Sequence, residues 1–142
     1  MVNINPYLHF SGNCEEAFEF YRAALGGEFA TRMRYKDAPS GDHQLSDAEG
    51  EQIIHVSLPL ANGTVLMGSD CPSQMGTVTF GNNFSISISG KGEAEADRIF
   101  NALSAGGNVM MGMNKTFWGA YFGMFTDKFG IQWMINFEPD QK

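Results

Sequence analysis

Positive charge is scarce in this chain: nine Lys and Arg stand against sixteen Asp and Glu in 142 residues, a formal net charge of −7. No cationic stripe is available for a phosphate backbone or an anionic lipid face, so the expectation is no nucleic-acid and no membrane partner. Cysteine is nearly absent. Cys14 and Cys71 fit no metal or redox spacing and read as ordinary free thiols of a reducing compartment. No run reaches the roughly 18 apolar residues of a membrane span. The start, Met1-Val-Asn-Ile-Asn-Pro-Tyr7, lacks the basic and apolar regions of a secretory leader, which predicts a cytoplasmic protein. The three histidines, His9, His43 and His55, show no ligand spacing, and no glycine pattern cradles phosphate; neither metal nor cofactor is predicted.

What the chain does have is apolar material: 43% hydrophobic and 13% aromatic residues, ample for one packed domain or two small units fused around one sheet. Its organising stretch is the tail, residues 117–137. Two aromatic and β-branched runs flank Asp127-Lys-Phe-Gly130, a turn signal, and so read as a β-hairpin. By parity Tyr121, Gly123 and Phe125 oppose Phe122, Met124 and Thr126. Ile131, Trp133 and Ile135 read as core, leaving Gln132, Met134 and Asn136 to line the other face.

Upstream, residues 4–10 read as a short strand ending at Ser11-Gly12. Asn13 with Glu16 has the form of a capping box opening a helix from Cys14 to Leu25, which Gly26-Gly27 stops. Residues 29–36 alternate as a half-exposed strand. The acidic stretch 37–51 reads as a mobile loop or flap. Strands over 52–60 and 64–68 join through Ala61-Asn-Gly63, and a second long loop spans 69–82. Then the order begins again: a strand over 84–90, a helix over 93–105 closed by Gly106-Gly107, a strand over 109–113, and the tail hairpin. A shift of 79 residues places Ala17, Tyr21, Ala24 and Gly27 on Ala96, Phe100, Leu103 and Gly106. The chain is an internal duplication, repeat 1 over about 1–70 and repeat 2 over about 83–142, within one domain spanning 1–142. The fold class is α+β, with duplicated βαβββ units forming a curved mixed sheet around a cleft.

A duplicated βαβββ chain with Glu19-Phe-Tyr-Arg-Ala-Ala-Leu-Gly-Gly27 after its first strand resembles the vicinal oxygen chelate superfamily of glyoxalases, bleomycin-resistance proteins and extradiol dioxygenases. Its PhnB-like branch, also described as a 3-demethylubiquinone methyltransferase-like domain, is the better match. The opening Asn5-Pro-Tyr-Leu-His-Phe-Ser-Gly-Asn-Cys-Glu-Glu-Ala17 and the closing motifs at 116–119 and 126–136 carry that resemblance over nearly the whole chain. The resemblance implies a divalent metal held by the first and last strands of each unit. Those positions fall near Pro6, near Met67, between Asn83 and Ser85, and on Met134, and none offers the expected His, Gln or Glu. By strand parity His9 should face away from the ligand position near Pro6.

Two readings of function follow. One is a metal-free protein binding a small, apolar molecule in a cleft lined by His55, Met67, Phe117, Trp118, Tyr121 and Met134. His55, on the polar parity of its strand, is the candidate catalytic or ligand-contacting group, against a purely structural hydrogen-bonded role. The other is a metal-dependent isomerase, lyase or dioxygenase. A methyltransferase is disfavoured, because the chain has no Gly-rich strand-to-helix turn in a doubly wound sheet. The methionines read either as adaptable core filler or as a greasy cleft lining. Asp70 and Asp127 read as turn residues. Val109–Met113, Phe117 and Trp118 supply more apolar surface than the core consumes, so the chain is expected to be a homodimer.

Overall fold

The computed structural model describes residues 2–38, 46–72 and 76–139, so His43 and much of the acidic stretch lie outside the described residues. The chain divides into two compact units, Met1–Thr79 and Phe80–Lys142. Each is α+β, with a helix on one side of an open four-stranded mixed sheet.

In the first unit, Cys14, Ala17, Phe18, Tyr21 and Ala24 recur at helical spacing and are buried as one stripe of α1 (Cys14–Leu25). They pack on β1 (Tyr7–Phe10), β2 (Thr31–Arg34), β3 (Ile53–Pro59) and β4 (Val65–Asp70), ordered β1-β4-β3-β2. β1 runs parallel to β4, while β4–β3 and β3–β2 are antiparallel. Leu8, Phe10, Val56, Leu58 and Leu66 supply the buried face of this sheet. Gly68 makes the close fit possible. A Cβ there would stand 2.6 Å from Phe18 Cε1 and 2.9 Å from the Leu8 carbonyl oxygen. β3 and β4 join through a 3-10 turn, Ala61–Gly63, whose Gly63 has φ +79°. The acidic stretch is not wholly irregular: Asp47–Gly50 forms one helical turn, α2, capped by the Ser46 hydroxyl and the Glu49 carboxylate.

The second unit repeats the order with β5 (Ile86–Ser89), α3 (Glu93–Ser104), β6 (Asn108–Lys115), β7 (Tyr121–Thr126) and β8 (Gln132–Phe137). Its sheet order is β5-β8-β7-β6, with β5 parallel to β8. The tail is the expected hairpin, Tyr121 opposite Phe137 and Thr126 opposite Gln132, closed at Gly130 with φ +96°. Ile131, Trp133, Ile135 and Phe125 are buried. Here too a glycine admits a helix aromatic: a Cβ on Gly123 would lie 2.8 Å from Phe100 Cε2. α1 and α3 have the same length, 12 residues, and begin at equivalent places in the repeat. The strands before them are offset by one: Leu8 and Phe10 face inward in β1, whereas Ile86 and Ile88 are the apolar pair of β5.

One expectation fails at the start of α1. Asn13 makes no side-chain cap, and the Asn13–Glu16 box does not form. The carboxylate of Asp70 does that work from the end of β4. Its Oδ1 accepts from the Gly12 and Cys14 N–H groups at 2.8 and 2.9 Å, and its Oδ2 from Ile53 N–H at 2.9 Å. Asp70 is therefore a buried anchor, 2% exposed, and not a turn residue. Asp127 does keep the turn, accepting from Phe129 and Ile131 N–H. It also receives the Trp133 indole N–H at 2.8 Å, which fixes that ring in the core.

Candidate functional site

Strand alternation puts Tyr7, His9, Thr31, Met33, His55, Ser57, Met67 and Ser69 on the face of the first sheet turned away from α1. Cross-strand register makes this one patch. Tyr7 lies opposite Met67 and His9 opposite Ser69, while Met67 lies opposite Ser57 and His55 opposite Met33. Three of its members touch through their rings. The Tyr7 and His55 rings stack with centroids 5.7 Å apart and planes at 26°, and Tyr7 and His9 lie 5.2 Å apart. The Tyr7 hydroxyl and His55 Nδ1 are hydrogen-bonded at 3.2 Å. His55 thus stands where its parity put it, half-buried and beside Met67 on the same face.

His9 was expected to face away from this site, and it does not. It shares the face of Tyr7 and His55, because Leu8 and Phe10 take the buried parity of β1. Pro6 continues the ladder by accepting from Met67 N–H at 3.1 Å, and it is Tyr7 and His9, the residues of the other parity, that share the face of His55. Tyr7 escaped notice for a related reason: a tyrosine between Pro6 and Leu8 reads as strand filler until its cross-strand neighbours are known. Just beyond the patch, the Tyr35 hydroxyl donates to the Asp70 carbonyl at 2.8 Å. Burial, with Cys71, Asp70 and Tyr7 nearby, pushes the Tyr35 pKa up.

In the second unit, the face turned away from α3 carries Phe122, Met124, Gln132, Met134 and Asn136, with Ser87 and Ser89 from β5. Met134 pairs with Met124 on one side and Ser87 on the other, half-buried. Trp118 packs on Phe122, centroids 6.2 Å apart, and on Phe117 at 4.9 Å, at the turn between β6 and β7. Both are open to solvent, Phe117 98% and Trp118 59% exposed. Tyr121 does not join them. It lies on the α3 side, where its hydroxyl donates to Asp97 Oδ1 at 2.6 Å and its pKa is pushed up to about 12 by that bond and by burial.

The four metal-ligand positions that the family likeness implies fall near Pro6, near Met67, between Asn83 and Ser85, and on Met134. Pro6 has no side-chain donor, and Met67 and Met134 offer only thioethers, which suit hard divalent cations poorly. Among the described residues no group of three or more His, Cys, Asp or Glu could hold a metal ion. This donor set does not fit the superfamily's metal. The charged side chains near α1 are otherwise engaged: Arg34 with Glu15 at 2.5 Å, Arg32 with Glu19 at 2.8 Å, and Lys36 with Glu51 at 2.5 Å. These pairs are half-exposed and each is worth little. Beside them lies an open depression of about 520 Å³ lined by Ser11, Ser46, Glu49, Gln52, Cys71 and Thr77, polar and without a converging catalytic set. Among the described residues no helix is long and apolar enough to cross a membrane.

Comparison with known proteins agrees with this architecture. Residues 3–135 match the family described as the Glyoxalase/Bleomycin resistance protein/Dioxygenase superfamily. Protein YjdN of Escherichia coli (strain K12) is 31% identical over 145 residues, covering 97% of each chain. The crystal structure of protein PA1353 from Pseudomonas aeruginosa is 40% identical with a TM-score of 0.84, covering 97% of this chain and 98% of that one. A Bacillus cereus protein titled a putative 3-demethylubiquinone-9 3-methyltransferase, PhnB protein, is 26% identical with a TM-score of 0.76, covering 96% of this chain and 99% of that one. By fold, sequence and motif, the chain belongs to the glyoxalase/bleomycin resistance/dioxygenase superfamily, in its PhnB-like branch.

Proposed function

We propose that this protein binds a small, predominantly apolar molecule on the face carrying His55 and Met67, without the superfamily's metal. The observation that carries the reading is the Tyr7–His55–His9 ring cluster set among Met33, Met67 and two serines. Aromatic and thioether surface meets a few polar groups there, the usual composition of a small-molecule site. Thioethers at two of the carried-over ligand positions favour apolar contact over coordination. The Bacillus cereus relative is named a putative methyltransferase; this chain lacks the Gly-rich strand-to-helix turn that often holds a methyl donor, so that activity is not proposed for it.

The same proposal places the protein in the cytoplasm as a homodimer. β6 is an edge strand whose Val109, Met110 and Met111 are each about half exposed, next to Phe117 and Trp118. An apolar edge of that kind is a liability unless covered, and a second copy covers it by closed two-fold pairing over more than roughly 1,000 Å². Sedimentation equilibrium at micromolar concentration tests it, and a 15.6 kDa monomer would end the proposal. Ligand binding is tested by NMR titration with benzyl alcohol, which should shift the Met67 methyl and the His55 ring. Thermal unfolding with Zn²⁺, Ni²⁺, Mn²⁺ or Fe²⁺ separates the metal-enzyme alternative. A true site at 100-fold excess over Kd adds about 2.7 kcal/mol of stability, and a shift of that size lost in His55→Ala would favour the alternative.

A further inference from the structure

The proposed site on the first unit has a sign that its apolar composition does not reveal. Tyr7 is hydrogen-bonded through its hydroxyl to His55 Nδ1. A phenol hydroxyl can donate to an imidazole nitrogen or accept from it; with the ring proton on Nε2, His55 Nδ1 accepts from Tyr7. In that tautomer His55 presents an N–H donor on the ring edge away from Tyr7. His9, on the same face, has its ring against Tyr7, and its side chain makes no hydrogen bond among the described residues.

The groups around the two imidazoles leave them without an acidic partner. β1 contributes Tyr7, β4 contributes Met67 and Ser69, and β2 contributes Met33, none of them anionic. Tyr35 is turned to the Asp70 carbonyl. The Asp70 carboxylate itself is saturated by three backbone N–H groups on the α1 side. Arg32 and Arg34 are occupied by Glu19 and Glu15. Two imidazoles share this face, and no carboxylate of the described residues reaches it to accept from them.

We infer that His55 holds the Nε2–H tautomer and that the ligand is an anion: a small aromatic or apolar carboxylate whose oxygens accept from His55 Nε2–H and from His9, its body lying on Tyr7 and Met67. This rests on the proposed ligand-binding face and adds the ligand's charge. Hydrogen bonds to an ionised acceptor are roughly twice as strong as neutral ones. The probes are benzoate and benzyl alcohol, which share a ring and differ in charge, followed by Met methyl and imidazole ¹⁵N resonances of the full chain.

The expected result is that benzoate moves the His55, His9 and Met67 signals with a Kd about tenfold below that of benzyl alcohol. His55→Ala should abolish that preference while leaving weak binding of the neutral ring. His55→Gln, which keeps a donor at the position of Nε2, should restore part of it. Independently, His55 ¹⁵N shifts in the unliganded protein should show the proton on Nε2, and Tyr7→Phe should remove that bias. Equal affinity for the two probes would overturn the anion inference while sustaining the apolar site. A silent His55 and Met67 with both probes would overturn both, and a proton found on Nδ1 would remove the donor on which the inference depends.

Discussion

Asp70→Asn is the most informative single change to the fold, because it preserves shape and removes only charge and one acceptor. The asparagine oxygen can replace Oδ1 and keep the Gly12 and Cys14 N–H groups. Its amide then meets the Ile53 N–H that Oδ2 accepts at 2.9 Å, donor against donor. With Asp70 only 2% exposed, water cannot rescue that clash. A buried donor left unpaired costs about 1–3 kcal/mol. Loss of charge assistance at the other two bonds adds about 1 kcal/mol each. The sum is about 4 kcal/mol, a large share of the ~5–15 kcal/mol that holds a domain together. Urea unfolding followed by tryptophan fluorescence should show the midpoint falling by about 2 M, for a slope near 2 kcal/mol/M. The control is Asp37→Asn, whose carboxylate accepts from Arg34 N–H at an exposed turn and should cost under about 0.5 kcal/mol. A drop for Asp70→Asn no larger than the control's would refute the reasoning, since the three bonds would then carry no net stability.

Three further outcomes are expected. Gly68→Ala should destabilise by about 1–3 kcal/mol in the same assay, since its Cβ would collide with the Phe18 ring and the Leu8 carbonyl; Gly112→Ala, with open space around it, should be far milder. Spectrophotometric titration should find one of the four tyrosines ionising near 12 and returning toward the ordinary range in Asp97→Asn. Because folding raises the Tyr121 pKa from about 10 to about 12, its contribution to stability is full below about pH 10 and fades as pH rises toward 12. Of the two thiols, Cys14 should resist Ellman's reagent until the chain unfolds, because burial, with Asp70 and Glu15 nearby, pushes its pKa far up, while half-buried Cys71 reacts in the native state.

Periodicity made most of this architecture legible. The apolar spacing of α1 and α3, the glycines after them and the hairpin at Asp127–Gly130 are local signals, and local signals survive in sequence. What failed to read through depended on distant partners. Asn13 had the chemistry of a cap, but a carboxylate 56 residues beyond Cys14 took its place. Tyr121 looked like a neighbour of Trp118, yet parity sends it to Asp97 on α3. His9 alternates with Pro6 as expected, but Tyr7 and His9, not the position near Pro6, are what share the face of His55. At the site, His55 and Met67 were visible as alternating residues, whereas Tyr7 gained meaning only once its hydroxyl was found on the imidazole.

The long reach of Asp70 also distinguishes the two repeats. In the second unit, the turn before α3 is tied by a neighbour: Lys91 N–H donates to the Glu95 carboxylate, four residues on. That closure can form as soon as the segment exists. The equivalent turn before α1 has no such local side-chain tie among the described residues and is held by the last residue of β4, which lies between β3 and β1. The first turn of α1 is therefore closed only by a residue far along the chain, whereas the turn before α3 is closed within its own segment. Two copies of one topology thus close the same turn over very different loop lengths, 56 residues against four, and the longer closure carries the larger entropic cost.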